Sequence, residues 1–91
     1  MISVELTRQF RDRLRKLGLD SQAVFVVIQA TAAAWGNPHQ HTGLGIRRLE
    51  ADYFEVRSGL GVRLIFKAKR TALVFYDAGT HADVKWFLRG I

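Results

Sequence analysis

Apolar residues recur at period two along two adjoining stretches in the second half of the chain, Phe54 and Val56 in one and Val62, Leu64 and Phe66 in the other. Each pattern marks a strand with one buried side. For apolar to face apolar, 54 pairs with 66, 56 with 64 and 58 with 62. This leaves Gly59-Leu60-Gly61 as a three-residue hairpin loop that needs Gly at a positive φ. The same register sets Arg57 opposite Arg63 and Glu55 opposite Ile65 on the other face. Like charges directly across a ladder cost from a few tenths of a kcal/mol to about one, which an acidic or anionic partner would offset. The plainer account is an exposed face of solvated arginines, with Glu55 as a diagonal neighbour.

Upstream the period changes. Residues 2–4 suit a short strand, after which Leu6, Phe10, Leu14 and Leu17 repeat at helical spacing and Gly18 ends the run. Asp20 or Ser21 caps a second helix. Its early part, Ala23-Val24-Phe25-Val26-Val27-Ile28, read alone resembles a buried strand. Val24, Ile28, Thr31 and Trp35, however, carry the helical period through an alanine run as far as Gly36-Asn37-Pro38. Residues 37–43 read as the one long irregular segment. Strands are then predicted near 45–50, 53–58, 62–67 and 72–77, as an antiparallel meander, with a closing helix over 81–89. Thr80-His81-Ala82-Asp83 fits a capping box for that helix, with Asp where Glu or Gln is usual. In the last strand Leu73 and Phe75 on one side and Val74 and Tyr76 on the other are all apolar or aromatic, so either Tyr76 or Phe75 shares the arginine face. These elements describe an α+β fold, one domain over 1–91, with two N-terminal helices packed on a mostly antiparallel sheet and a short C-terminal helix.

With 91 residues and 48% apolar content the chain supports a single small core. The formal net charge is +6, and arginine outnumbers lysine ten to four. Guanidinium groups make forked hydrogen bonds to phosphate and carboxylate, so nucleic acid or an acidic protein is the favoured partner class. Cysteine is absent and His39, His41 and His81 do not have zinc-site spacing, so disulfides, metal and cofactor are not expected. No stretch has the length of a membrane span and the start lacks a secretory pattern, which makes the cytoplasm the expected location. The first helix carries Arg8, Arg11, Asp12 and Arg15 on one side, a basic face whose plainer reading is ordinary solvation. Neither a phosphate-binding glycine loop nor a hydrolase triad order is present, and Gly59-Leu60-Gly61 joins two strands rather than opening a helix.

Four short motifs carry a resemblance. Gly45-Ile46-Arg47-Arg48-Leu49 resembles a "G-x-R/K-x-L" strand, Phe54-Glu55-Val56-Arg57 an "L-x-E-x-R" strand, and Val62-Arg63-Leu64-Ile65-Phe66 a "Y-R-V-I-Y" strand. Gly79-Thr80-His81-Ala82-Asp83-Val84 resembles a closing "G-H-R-x-D-V-Y" segment and its "G-T-H" variant. Together with the order of elements, they are similar to the RelE/ParE superfamily of bacterial toxins from toxin–antitoxin pairs, with the "G-T-H" form belonging to the YafQ-like branch.

The resemblance implies one of two activities: metal-independent cleavage of mRNA, typically on the ribosome, as in RelE-like members, or inhibition of DNA gyrase, as in ParE-like members. A decayed member acting only as a binding module is the remaining alternative. In the cleaving branches an RNA 2′-hydroxyl attacks the adjacent phosphate. Carried over, Arg63 would stabilise the phosphorane, Arg57 would assist, and His81 would be the general acid, its charge favoured by a bound phosphate and Asp83. Glu55 is the candidate base and His41 the runner-up. Arg47, Arg48, Lys67, Tyr76 and His41 would contact RNA, and Arg8, Arg11 and Arg15 would meet an acidic antitoxin, giving a hetero-oligomer. The chain departs from the pattern at Val62, where the family strand has tyrosine, and at Lys85, where many members end in tyrosine; Tyr53, Tyr76 or Trp86 would have to supply the aromatic. The branch's histidine and aspartate in the central hairpin are Arg57 and Gly61 here.

Overall fold

The computed structural model describes residues 2–59 and 61–90, apart from the side chains of Pro38 and Thr42. Strand β1 (Ser3–Leu6) leads into helices α1 (Arg8–Leu17), α2 (Ser21–Ala34) and α3 (Pro38–Leu44). Strands β2 (Arg47–Arg48), β3 (Tyr53–Arg57), β4 (Arg63–Ala68) and β5 (Ala72–Gly79) follow, then helix α4 (His81–Arg89). The strands form one sheet in the order β1-β5-β4-β3-β2. Neighbours run antiparallel except β1, which pairs parallel with β5. The fold is α+β, as the sequence predicts.

Local chemistry sets the helix ends. The Thr7 hydroxyl accepts from the Phe10 N–H at the start of α1, and Gly18, at φ 64°, closes it by donating to the Arg15 and Leu14 carbonyls. The Asp20 carboxylate accepts from the Gln22 N–H and so caps α2. Helices α1 and α2 supply Phe10, Val24 and Ile28 to one face of the sheet. There they meet Val56, Leu64, Phe66, Leu73, Phe75 and Ala78 in a single core. Phe66 is central, with ring centroids 5.0 Å from Phe75, 5.5 Å from Trp35 and 5.6 Å from Phe54. α2 also leaves Phe25 and Val26 exposed, which is why its sequence reads so apolar.

The hairpin register is the one demanded by apolar pairing: Phe54 faces Phe66, Val56 faces Leu64, Glu55 faces Ile65 and Arg57 faces Arg63. Ser58 N donates to Val62 O at 2.9 Å, and Gly59 and Gly61 take φ of 71° and 78°. Leu60, the middle of the expected loop, lies outside the described residues. Between β4 and β5 the ladder shifts: Ile65 faces Asp77 while Phe66 faces Phe75. Tyr76 is therefore the extra residue of a bulge. Phe75 goes to the core and Tyr76 packs on Tyr53, 5.9 Å away, on the arginine side of the sheet. Helix α4 covers part of that side, where Phe87 stacks edge-on against Tyr53 at 5.2 Å.

One expectation is corrected. Residues 37–43 are not an irregular loop, since 38–44 form α3. Pro38 opens this helix, where a missing N–H costs nothing, and Asn37 O accepts from Gln40 N at 2.9 Å. His41 ties α3 to α2, its ring stacked on Trp35 at 5.2 Å and its Nε2 donating to Ala34 O at 3.1 Å. Composition pointed to a loop; these tertiary contacts hold a helix.

Truncation of Phe66, which is fully buried, to Ala should cost about 3–5 kcal/mol. Val26→Ala, at an exposed position, should stay within about 0.5 kcal/mol. Urea unfolding of both variants beside the wild type measures the difference.

Candidate functional site

Strands β2, β3 and β4 place Arg47, Glu55 and Ile65 side by side, since Glu55 faces both neighbours in the ladder. Glu55 is only 1% exposed, so the solvated face expected from the alternation is in fact covered at this point. Its Oε1 lies 2.9 Å from Arg47 Nη2 and accepts from Arg63 Nη1 at 3.2 Å. A carboxylate can be buried only when opposite charge and hydrogen bonds replace its water; two guanidiniums supply the charge and Arg63 the hydrogen bond. Glu55 Oε2 is buried and has no hydrogen-bond partner among the described residues.

Arg57 completes the group. A Cβ at Gly45 would collide with the Arg57 Nε and sit 3.2 Å from its Cζ, so the guanidinium lies directly over the Gly45 backbone. Gly45 itself holds φ 75°, a conformation glycine tolerates. The result is an open cavity of about 260 Å³ lined by Gly45, Ile46, Arg47, Glu55, Arg57 and Arg63. Three guanidiniums around one buried carboxylate leave an excess of positive charge facing the opening. That arrangement suits a phosphate group.

The same end of β4 connects this cavity to α4. Arg63 faces Gly79 in the ladder, and His81 follows two residues later as the exposed first residue of α4. The expected capping box is present: Thr80 Oγ1 accepts from Asp83 N, and Asp83 Oδ2 accepts from Thr80 N at 2.8 Å. That backbone hydrogen bond is the largest cause holding the Asp83 carboxyl below its ordinary value of 3.8, with the Thr80 hydroxyl and Arg13 acting in the same direction. Asp83 is thus committed to Thr80 and Arg13 rather than to His81.

The structure brings Arg47, Glu55, Arg57 and Arg63 together. The other candidates lie apart from the cavity lining. Arg48 Nε donates to Ala51 O at 3.0 Å in the β2–β3 turn. His41 is engaged with Trp35 and Ala34. Lys67 sits over the Tyr53 ring at 5.5 Å, beside Tyr76. On α1, Arg8 is exposed and Arg15 pairs with Asp12. Arg11 and Arg15 border a cavity of about 540 Å³ with Leu6, Leu14, Leu19 and Phe25. Sequence reasoning did not single out Arg13, which reaches Asp77 and Asp83. Its signal was its position beside Phe10, Leu14 and Leu17, at the border of the apolar stripe, where a charge requires a partner.

Two helices on one face of a five-stranded sheet, a parallel first strand and a helix closing over the other face make up a fold that is shared with solved bacterial toxins. The structure is similar to a copper-bound mutant toxin from Helicobacter pylori, with TM-score 0.71 and 20% identity over 92% of this chain and 99% of that one. It is likewise similar to E. coli YafQ in the DinJ–YafQ complex (TM-score 0.68, 19% identity, 92% and 98% of the two chains). A third likeness is to the YoeB dimer from Staphylococcus aureus (0.63, 12%, 88% and 97%). At these identities what is shared is the fold. No protein-family model and no curated protein matches the sequence. Among the described residues no helix is long and apolar enough to cross a membrane, and no three His, Asp or Glu residues are grouped to hold a metal ion.

Because the Asp83 carboxyl is depressed in the folded state, the stability it contributes is complete above the unfolded value and is lost as pH falls through the folded one. Asp83→Asn should therefore melt below the wild type at neutral pH. The gap should close as pH drops below 3.8, read from thermal midpoints of both proteins across an acid series.

Proposed function

We propose that the chain is the toxin of a type II toxin–antitoxin pair and a metal-independent endoribonuclease that cleaves mRNA, on the ribosome, to stop translation. The observation that carries this reading is the cavity of Arg47, Arg57 and Arg63 around buried Glu55, joined through the Arg63–Gly79 ladder pair to His81. In the reaction an RNA 2′-oxygen attacks the adjacent phosphorus and its proton leaves to a base. The bond from phosphorus to the 5′-oxygen breaks, giving a 2′,3′-cyclic phosphate, and the departing 5′-oxygen takes a proton. Arg63 and Arg57 offset the charge gathering on the phosphorane oxygens, as fixed donors do at developing oxyanions. His81, exposed at the opening of α4, delivers the proton. Glu55 is the carboxylate at the cavity, and Oε2 is the oxygen without a hydrogen-bond partner among the described residues.

The antitoxin reading rests on charge and shape. Arg11 and Arg15 border the apolar cavity between α1 and α2, with Arg8 exposed on the same helix, a surface complementary to an acidic segment with apolar side chains. YafQ, of the same fold, forms a toxin–antitoxin complex with DinJ. A second reading, a non-catalytic inhibitor in the manner of the gyrase-directed members, is favoured by one fact: Glu55 is 1% exposed and already neutralised by two arginines, which makes it a poorly reachable base.

Induced expression of the wild type should arrest growth and create new mRNA 5′ ends. The Arg63→Ala, His81→Ala double variant should create none, and His81→Ala alone should lower cleavage by about two orders of magnitude or more. Arrest without new ends would replace the ribonuclease with the inhibitor, and soluble protein without arrest would leave a binding module.

A further inference from the structure

Arg13 stands on the border of the α1 apolar stripe away from Arg11 and Arg15, and it reaches over the end of β5. Its Nε donates to Ala78 O at 3.0 Å and lies 3.4 Å from Asp77 Oδ1, while Nη2 lies 3.6 Å from Asp83 Oδ1. Gln9, one turn earlier, donates to Asp77 Oδ2 at 3.2 Å. The second Asp83 oxygen accepts from Thr80 N at 2.8 Å and from the Thr80 hydroxyl at 3.1 Å. One guanidinium therefore joins α1, the last turn of sheet and the capping box that starts α4.

The joint is tight. A Cβ on Gly79 would sit 2.5 Å from Asp83 Oδ2 and 2.6 Å from Asp83 Cβ, so the first turn of α4 presses against the end of β5. Gly79 is also the ladder partner of Arg63. Where His81 stands relative to Arg63 thus depends on two peptide units and on the angle at which α4 leaves the strand. A helix of nine residues is too short to hold its own direction. Its direction comes from Val84 and Phe87 on the sheet side and from Asp83 at its start, and Asp83 is held by Thr80 and Arg13.

We propose that Arg13 is a positioning residue for His81, an inference that rests on His81 being the general acid of the ribonuclease reading above. Arg13 lies outside the lining of the arginine cavity and acts through Asp83, Ala78 and the α4 start. Its ion pairs are partly exposed, so they add little to global stability. Their effect falls on geometry, to which proton transfer is far more sensitive: a displacement of one ångström can cost about 100-fold in rate.

The test is a double-mutant cycle on cleavage of a defined mRNA that the wild type cuts. Arg13→Gln should lower kcat about tenfold or more with KM within about twofold, and should lose nothing further when introduced into His81→Ala. Arg13→Lys, which keeps the charge without the fork, should fall between, and it carries the comparison alone if Arg13→Gln does not fold. An equal loss in the two backgrounds, or a change confined to KM, overturns the proposal. Amide hydrogen exchange separates this outcome from failure of the ribonuclease reading. If the wild type cleaves no RNA, exchange at Thr80 and Val84 still decides. Acceleration of about tenfold in Arg13→Gln with β3 and β4 unchanged upholds the positioning of α4, and unchanged exchange overturns it.

Discussion

The burial of Glu55 organises the functional half of this molecule. A carboxylate at 1% exposure in the middle of a sheet is tolerable only with compensating cations on either side. β2 and β4 provide them as Arg47 and Arg63. The short strand β2, two residues long, is thereby fastened to the sheet by charge as well as by its ladder with β3. The same pairing fixes two arginines at the rim of a cavity and leaves a third, Arg57, opposite Arg63 with no carboxylate of its own among the described residues. A buried ion pair is seldom more stabilising than well-packed apolar side chains of similar size. The arrangement makes better sense as a device for holding guanidiniums at set distances than as a contribution to folding.

The parts of the fold that were legible in the sequence are those where two signals agree. The β3–β4 register followed from period-two apolar positions and from a glycine at each end of the turn. The closing helix followed from Thr80 and Asp83, and the end of α1 from Gly18. Single signals were less informative. Residues 37–43 have loop composition, yet the Trp35–His41 stack and the Pro38 start make them helical, and both depend on tertiary neighbours. The face of Tyr76 was undecidable because β5 is apolar or aromatic on both sides, and a bulge shifts parity without leaving a mark in such a strand.

The site was legible as a set of residue types more than as an arrangement. Arg57, Arg63 and Glu55 stood out through their register, and Arg47 through its place in a motif. That Glu55 would be enclosed could not be read from alternation, which treats every second residue of a strand as solvated; here the Arg47 and Arg63 side chains from the neighbouring strands reach across it. Arg48, His41, Lys67 and Tyr76 were grouped with the site by type or motif and lie among their own partners instead. Arg13 was passed over because one charged residue beside an apolar stripe reads as a solvated flank until β5 and α4 are folded against it. Solved toxins at 12–20% identity share the backbone plan, and the cavity is built from this chain's own side chains.

The contact between Arg57 and Gly45 constrains how this cavity can change over evolutionary time. A side chain at position 45 would meet two obstacles at once, a left-handed backbone and a guanidinium lying across it. Only one of these belongs to position 45. Shortening Arg57 would remove the steric obstacle, so the order of substitutions matters: diversification of this wall is blocked while Arg57 stays and becomes less costly once it is gone. The two positions, twelve residues apart in the chain, are expected to drift as a pair, and a lineage that keeps the arginine keeps the glycine with it.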